Sequence, residues 1–206
     1  MRIDRIEASR RKKGRVLVFL EDGACLKITE QELLDFGLRS GDELSCARMK
    51  ELKEAAGLSD TRATAADLVG RRAMSRAGLE KKLREKGASE AEARYAGEWL
   101  EAIGALNDAD YAAVLARHYG QMGYGPRYVQ EKLREKGVPR ELWDDALDTL
   151  PDPAEQIDRF LASRLRGLAP DQREKKRLSD ALLRRGYGWA DVKAGWSRLG
   201  AEIPEE

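Results

Sequence analysis

The chain has 206 residues, with 38 Lys and Arg side chains against 37 Asp and Glu, so its formal charge is only +1. That balance excludes a gross field pulling the whole molecule onto nucleic acid or a membrane, and any such contact must come from local arrangement. Apolar residues (42%) and charged residues (36%) are mixed along the chain, and no apolar run approaches the roughly 20 residues that span a bilayer, which predicts a folded cytoplasmic protein with no membrane partner.

Residues 1–58 read as a small β-containing module. Ile3, Ile6 and Ala8, then residues 16–20, then 24–28 are short β-prone runs, separated by plausible turns at 12–14 and 21–23. A helical piece follows at 29–36, where Thr29 and Glu32 fit a capping box, and another at 45–56. The module carries 12 basic and 11 acidic side chains, so it is not a basic arm, although 10–13 is a local basic cluster. Its start, Met1-Arg2-Ile3-Asp4, lacks the basic and apolar stretches of a secretory signal. Cys25, Cys46 and His118 are too few and too scattered for a metal cluster, so no metal or cofactor is expected. The two thiols are expected to be small core residues in a reducing compartment.

Residues 57–62 read as a boundary, after which the chain repeats itself. Residues 79–87 are LEKKLREKG and 129–137 are VQEKLREKG, so KLREKG recurs after 50 residues; a degenerate copy, LSDALLRRG, follows at 178–186. A recurrence of this length marks tandem helical units. Four and eight positions before each glycine stand Leu83 and Leu79, Leu133 and Val129, and Leu182 and Leu178, one apolar stripe of a helix that the glycine ends. Beyond it, Ala93, Ala96, Gly97 and Leu100 mark a second amphipathic helix. Trp143, Ala146, Leu147 and Leu150 repeat that spacing, as do Val192, Gly195, Trp196 and Leu199.

An opening helix precedes each copy, at 65–74, 108–122 and 154–165. Ser75, Asn107 or Asp108, and Ser89 with Glu92 suit helix starts; Pro126 suits a first turn, and 167–171 is the matching break in the third unit. The predicted fold class is therefore mainly α. Residues 1–58 form the front module, and residues 59–107, 108–151 and 152–206 form three three-helix repeats in a curved, elongated array.

Leu68, Arg71, Arg72, Ser75, Arg76, Leu79, Leu83 and Gly87, followed by Leu106, Asp108, Tyr111 and Ala112, and then Gly123, Val129, Leu133, Lys136, Gly137 and Val138, resemble the pattern of RecX regulatory proteins. The likeness is close over residues 64–150 and looser in the third unit, and the front module is similar to the β-hairpin extension of longer members. Gly78 stands where the family favours an acidic residue. The resemblance implies a curved array lying in the groove of the RecA–DNA filament, with RecA as partner and an inhibiting or modulating role; a monomer is expected, with single- or double-stranded DNA as a candidate further partner.

Each glycine corner carries two cations: Arg84 and Lys86, Arg134 and Lys136, Arg184 and Arg185. Stacked units would align them into a row able to follow phosphates or an acidic groove, supplemented by Arg71, Arg72, Arg76, Arg127 and 173–177. The same cations also suit the negative ends of their helices, and Glu85 and Glu135 dilute the row. Tyr124, Tyr128 and Tyr187 could stack on bases or simply cover helix junctions. No phosphate-binding loop, dinucleotide fingerprint or nucleophile elbow occurs, so no catalytic residues are assigned. A nucleic-acid binder acting without RecA and a general protein scaffold remain as alternatives.

Overall fold

The structure, a computed structural model, describes residues 1–10, 12–166 and 168–201. The chain divides into two compact units, Met1–Arg72 with Leu79–Ala105 and Ala73–Gly78 with Leu106–Glu206.

In the first unit, β1 (Ile3–Ala8), β2 (Arg15–Leu20) and β3 (Cys25–Thr29) form an antiparallel sheet in that order. Strand alternation buries Val16, Val18 and Leu20 of β2 with Ile28 of β3. A register shift between Ile3 and Arg5 lets Ile3 and Ile6, three positions apart, join the same core. Gly14 and Gly23 turn the chain at positive φ. Helix α1 (Glu30–Asp35) opens with the expected Thr29–Glu32 capping box. The two cysteines are not core residues: Cys25 and Cys46 are both exposed. Alternation in β3 turns Leu26 and Ile28 inward and Cys25 outward, and Cys46 is the first residue of a helix whose buried stripe begins at Met49.

That helix, α2 (Cys46–Arg71), runs unbroken for 26 residues through the stretch read as a boundary. Its front half closes the sheet core with Met49 and Leu52, and its rear half packs on α4 (Glu90–Ala102), where Arg62 lies 4.3 Å over the Trp99 ring. Gly57 breaks nothing. A Cβ there would fall on the Glu92 carboxylate, so this glycine permits close approach, at a helix-propensity cost of about 1 kcal/mol. Thr61 and Ala65 are buried one and two turns further on. One helix therefore belongs both to the front module and to the first repeat, whose middle helix is α3 (Arg76–Glu85).

The second unit holds α5 (Asp108–Gln121), α6 (Pro126–Glu135), a 3-10 turn at Arg140–Leu142, α7 (Trp143–Leu147), α8 (Pro153–Leu165), α9 (Gln172–Arg184) and α10 (Trp189–Arg198). Each trio encloses its own core: Ala112, Ala116, Val129, Leu133, Val138 and Ala146 in one, and Ile157, Leu161, Leu178, Leu182, Val192 and Trp196 in the other. The stripe leucines and Val129 are all buried, as the period requires. Trp196 satisfies its indole N–H by donating to Ser179 Oγ at 2.9 Å. One stripe expectation fails at a helix end: Leu199 follows the last turn of α10 and is 44% exposed. In the second unit Trp143, Ala146, Leu147 and Leu150 all pack in the core as expected, although α7 itself is cut to five residues between its opening 3-10 turn and Leu150-Pro151. The expected break at 167–171 and the basic cluster at 10–13 each include a residue outside the described ones, Gly167 and Arg11. No helix among the described residues is long and apolar enough to cross a membrane.

Candidate partner-binding surface

The three glycine corners are built alike. Gly87, Gly137 and Gly186 have φ of +97°, +71° and +87°. The residue after each donates its N–H to the carbonyl five positions back: Ala88 to Leu83 at 3.1 Å, Val138 to Leu133 at 3.0 Å, and Tyr187 to Leu182 at 3.2 Å. This is the bonding of a helix closed by a left-handed residue. It fixes Arg84 and Lys86, Arg134 and Lys136, and Arg184 and Arg185 at equivalent places on their own repeats.

Within the second unit two of these corners receive the start of a middle helix. At the Gly137 corner, Ser75 accepts the Gly78 N–H at 3.0 Å and donates its hydroxyl to the Lys136 carbonyl, while the Arg76 N–H donates to the Asp108 carboxylate at 2.7 Å. At the Gly186 corner, the Gly125 N–H donates to the Arg185 carbonyl at 2.7 Å and the Arg127 N–H to the Gly186 carbonyl at 3.1 Å. Positions 75 and 125 correspond in the repeat, as do 136 and 185, so one docking scheme is used twice with a hydroxyl in one copy and an amide in the other.

The cations around these corners differ in how far they are already engaged. Arg185 is half-buried; it donates to the Gly123 carbonyl at 3.3 Å and lies 4.9 Å from the Phe160 centroid and 5.9 Å from that of Tyr124, so it ties two repeats together. Arg134 pairs with Glu131 at 2.7 Å and Arg71 with Asp67 at 2.9 Å. Arg76 and Lys136 are half-buried. Arg72, Arg84, Lys86, Arg127 and Arg184 are exposed, with no ion pair recorded among the described residues. In the second unit, the backbone of Arg127, Arg184 and Arg185 therefore lies at one corner, where the Arg185 side chain is beside Tyr124. Arg134 and Lys136 stand at the other corner, and Arg72, Arg84 and Lys86 belong to the first unit.

Tyr124 stacks on Tyr128, with centroids 4.0 Å apart and planes 15° apart, and Tyr119 meets both edge-on. Burial pushes the Tyr128 phenol up from its ordinary pKa. Lys132, which the sequence reading passed over, lies 5.2 Å over the Tyr128 ring and bonds Glu135 at 2.7 Å. That bond raises the lysine pKa and lowers that of the carboxylate. Its spacing of four residues after Tyr128 on a helix was the available signal. Tyr187, by contrast, is only 3% exposed and packs in the third-repeat core, so it is no stacking platform. His118 is exposed, with an edge contact to Tyr119.

Residues 107–147, which span α5 to α7 and the Gly137 corner, match the family model described as the second three-helix domain of RecX. A regulatory protein RecX of Trichlorobacter lovleyi is 36% identical over 118 residues, covering 54% of this chain and 77% of that protein. Another, of Pseudomonas putida, is 33% identical over 128 residues, covering 61% and 82%. The chain belongs to the RecX family. The fold agrees: a crystal structure of a regulatory protein RecX aligns with a TM-score of 0.73 at 24% identity over 95% of this chain and 98% of that one. That of RecX from Lactobacillus salivarius aligns at 0.63 and 21% over 71% and 98%. In this RecX-family chain, the region matched by the family model holds Tyr124, Arg127, Arg134 and Lys136 of the candidate surface.

Proposed function

We propose that this chain regulates the RecA recombinase by binding in the groove of the RecA–DNA filament, thereby controlling recombination and repair, and that it acts by binding rather than by catalysing a reaction. The observation that carries the reading is the family match over residues 107–147, because it falls on a repeat that presents Arg127, exposed and without an ion pair among the described residues, at a helix junction. Such cations suit a partner lined with phosphates or carboxylates: each one placed against a charge contributes through local attraction and counterion release.

The test replaces Arg84, Lys86, Arg134, Lys136 and Arg184 with Gln, which keeps helix propensity while removing charge. Arg185 is left in place because its bond to Gly123 and its ring contacts make it part of the junction itself. Inhibition of DNA-dependent ATP hydrolysis by RecA is measured at two salt concentrations, after circular dichroism has shown the variant to be folded. The parent inhibits more strongly at low salt, and the variant inhibits weakly at both. A folded variant that inhibits like the parent would leave these residues as helix caps and solvated surface.

A further inference from the structure

The front module holds a charged cavity that the repeat reading does not use. About 500 Å³ in volume, it takes its charges from Glu7, Arg10, Lys12, Arg15, Lys27 and Asp60, and Ala8 and Leu17 supply an apolar wall. Its two carboxylates are already engaged. Glu7 accepts from Arg5 at 2.8 Å, and Asp60 pairs with Arg15 at 2.6 Å. Arg15 is held firmly, its side chain only 11% exposed, and its Nη1 has no acceptor among the described residues. Arg10, Lys12 and Lys27 are exposed and have no ion pair recorded among the described residues. Three cations without an ion pair among the described residues thus face one cavity whose acids are each held by an arginine, Glu7 by Arg5 outside the lining and Asp60 by Arg15 within it.

That arrangement calls for an anion, and the dimensions say which kind. The volume lies within the 300–1,000 Å³ typical of sites for small organic ligands, far more than a lone inorganic ion fills. An apolar wall beside a cationic one suits a phosphate that carries a sugar and base. Lys12 and Asp60 also line a neighbouring cavity of about 390 Å³ together with Lys86, so phosphates leaving the first cavity past Lys12 meet a further cation. We propose that this cavity of the front module binds the phosphate of a nucleotide unit, with a single nucleic-acid strand as its source. The proposal does not depend on RecA, and Arg10, Lys12 and Lys27 lie outside the repeat corners, so it and the proposed function can fail separately.

The test uses the full chain and an Arg10→Gln, Lys12→Gln, Lys27→Gln triple variant, with Lys86 intact and folding checked by circular dichroism and melting. Binding of a labelled oligothymidylate is followed by fluorescence anisotropy over a range of salt, without RecA. The variant should bind about tenfold or more weakly at low salt, and the slope of log affinity against log salt should flatten by about 0.7, as one lost phosphate contact on a single strand requires. Lysine acetylation read by mass spectrometry localises the contact: the oligonucleotide should protect Lys12 and Lys27 more than ATP or inorganic phosphate does. Protection by ATP alone would uphold the phosphate chemistry and make a free nucleotide its source. A triple variant with the parent's affinity and slope, no protection by any of the three, or stronger protection by polyglutamate would overturn the proposal.

Discussion

Two corners built alike can lead different lives. The Gly186 corner is covered: a Cβ there would fall on the backbone nitrogen of Tyr128 and within 2.7 Å of that residue's Cβ. The Gly87 corner has the same φ region and the same closing hydrogen bond, yet a Cβ there would meet nothing within 4 Å among the described residues. At Gly87 the glycine serves only the backbone conformation; at Gly186 it also makes room for the neighbouring repeat. Gly137 stands between them, with the Ala77 methyl 2.9 Å from where its Cβ would be. The repeat signature therefore encodes two requirements, helix termination at every copy and repeat docking at two of them.

Alanine substitutions would break or sharpen this contrast. Gly186→Ala carries the largest expected effect, because the cost of a left-handed alanine, about 1–2 kcal/mol, adds to an overlap with backbone that cannot rotate away, about 1–3 kcal/mol. Gly137→Ala should fall between the extremes, since its Cβ would overlap one methyl at 2.9 Å, where that of Gly186→Ala would overlap three atoms of Tyr128, one of them its backbone nitrogen. Gly87→Ala should show the conformational cost alone, about 1–2 kcal/mol. Urea unfolding of the three variants measures the series, and a Gly87→Ala loss as large as that of Gly186→Ala would mean that the first corner is covered as well.

A smaller effect concerns charge at the Gly137 corner. Glu135 has its pKa lowered chiefly by the hydrogen bond from Lys132. The associated stabilisation is therefore present above the carboxylate's unfolded pKa and fades as pH falls through the lower folded value. Because Glu135 is exposed the effect on stability is slight, and the check is spectroscopic. The Glu135 side-chain resonance should titrate below the ordinary glutamate range and move back toward it in Lys132→Met.

The parts of this contrast that follow local rules were readable in the sequence. Apolar spacing located the stripe from Leu79 to Leu182, and Thr29, Ser75, Ser89, Asn107 and Pro126 all lie at the helix starts that their chemistry suits. What depended on long-range neighbours was not readable. Gly57 resembles a helix break until Glu92 is placed beside it, and Tyr187 resembles an exposed ring until the third core closes around it. Arg185 looks like one more surface cation, but contacts with Gly123 and Phe160, both remote in sequence, make it a junction residue. Cys25 and Cys46 were misplaced for a related reason: their residue type favours burial, but strand alternation and helix start position decide otherwise.

The central claim is that the cations at the repeat corners serve a recombinase filament. The most direct measurement compares binding of the full chain to RecA assembled with ATP on single-stranded DNA, to RecA alone, and to the DNA alone, at one fixed salt concentration. The account predicts binding to the assembled filament that is much tighter than to either component, and weakened by the five Gln substitutions. Equal affinity for bare DNA and for the filament would contradict it and favour a nucleic-acid binder that acts without RecA.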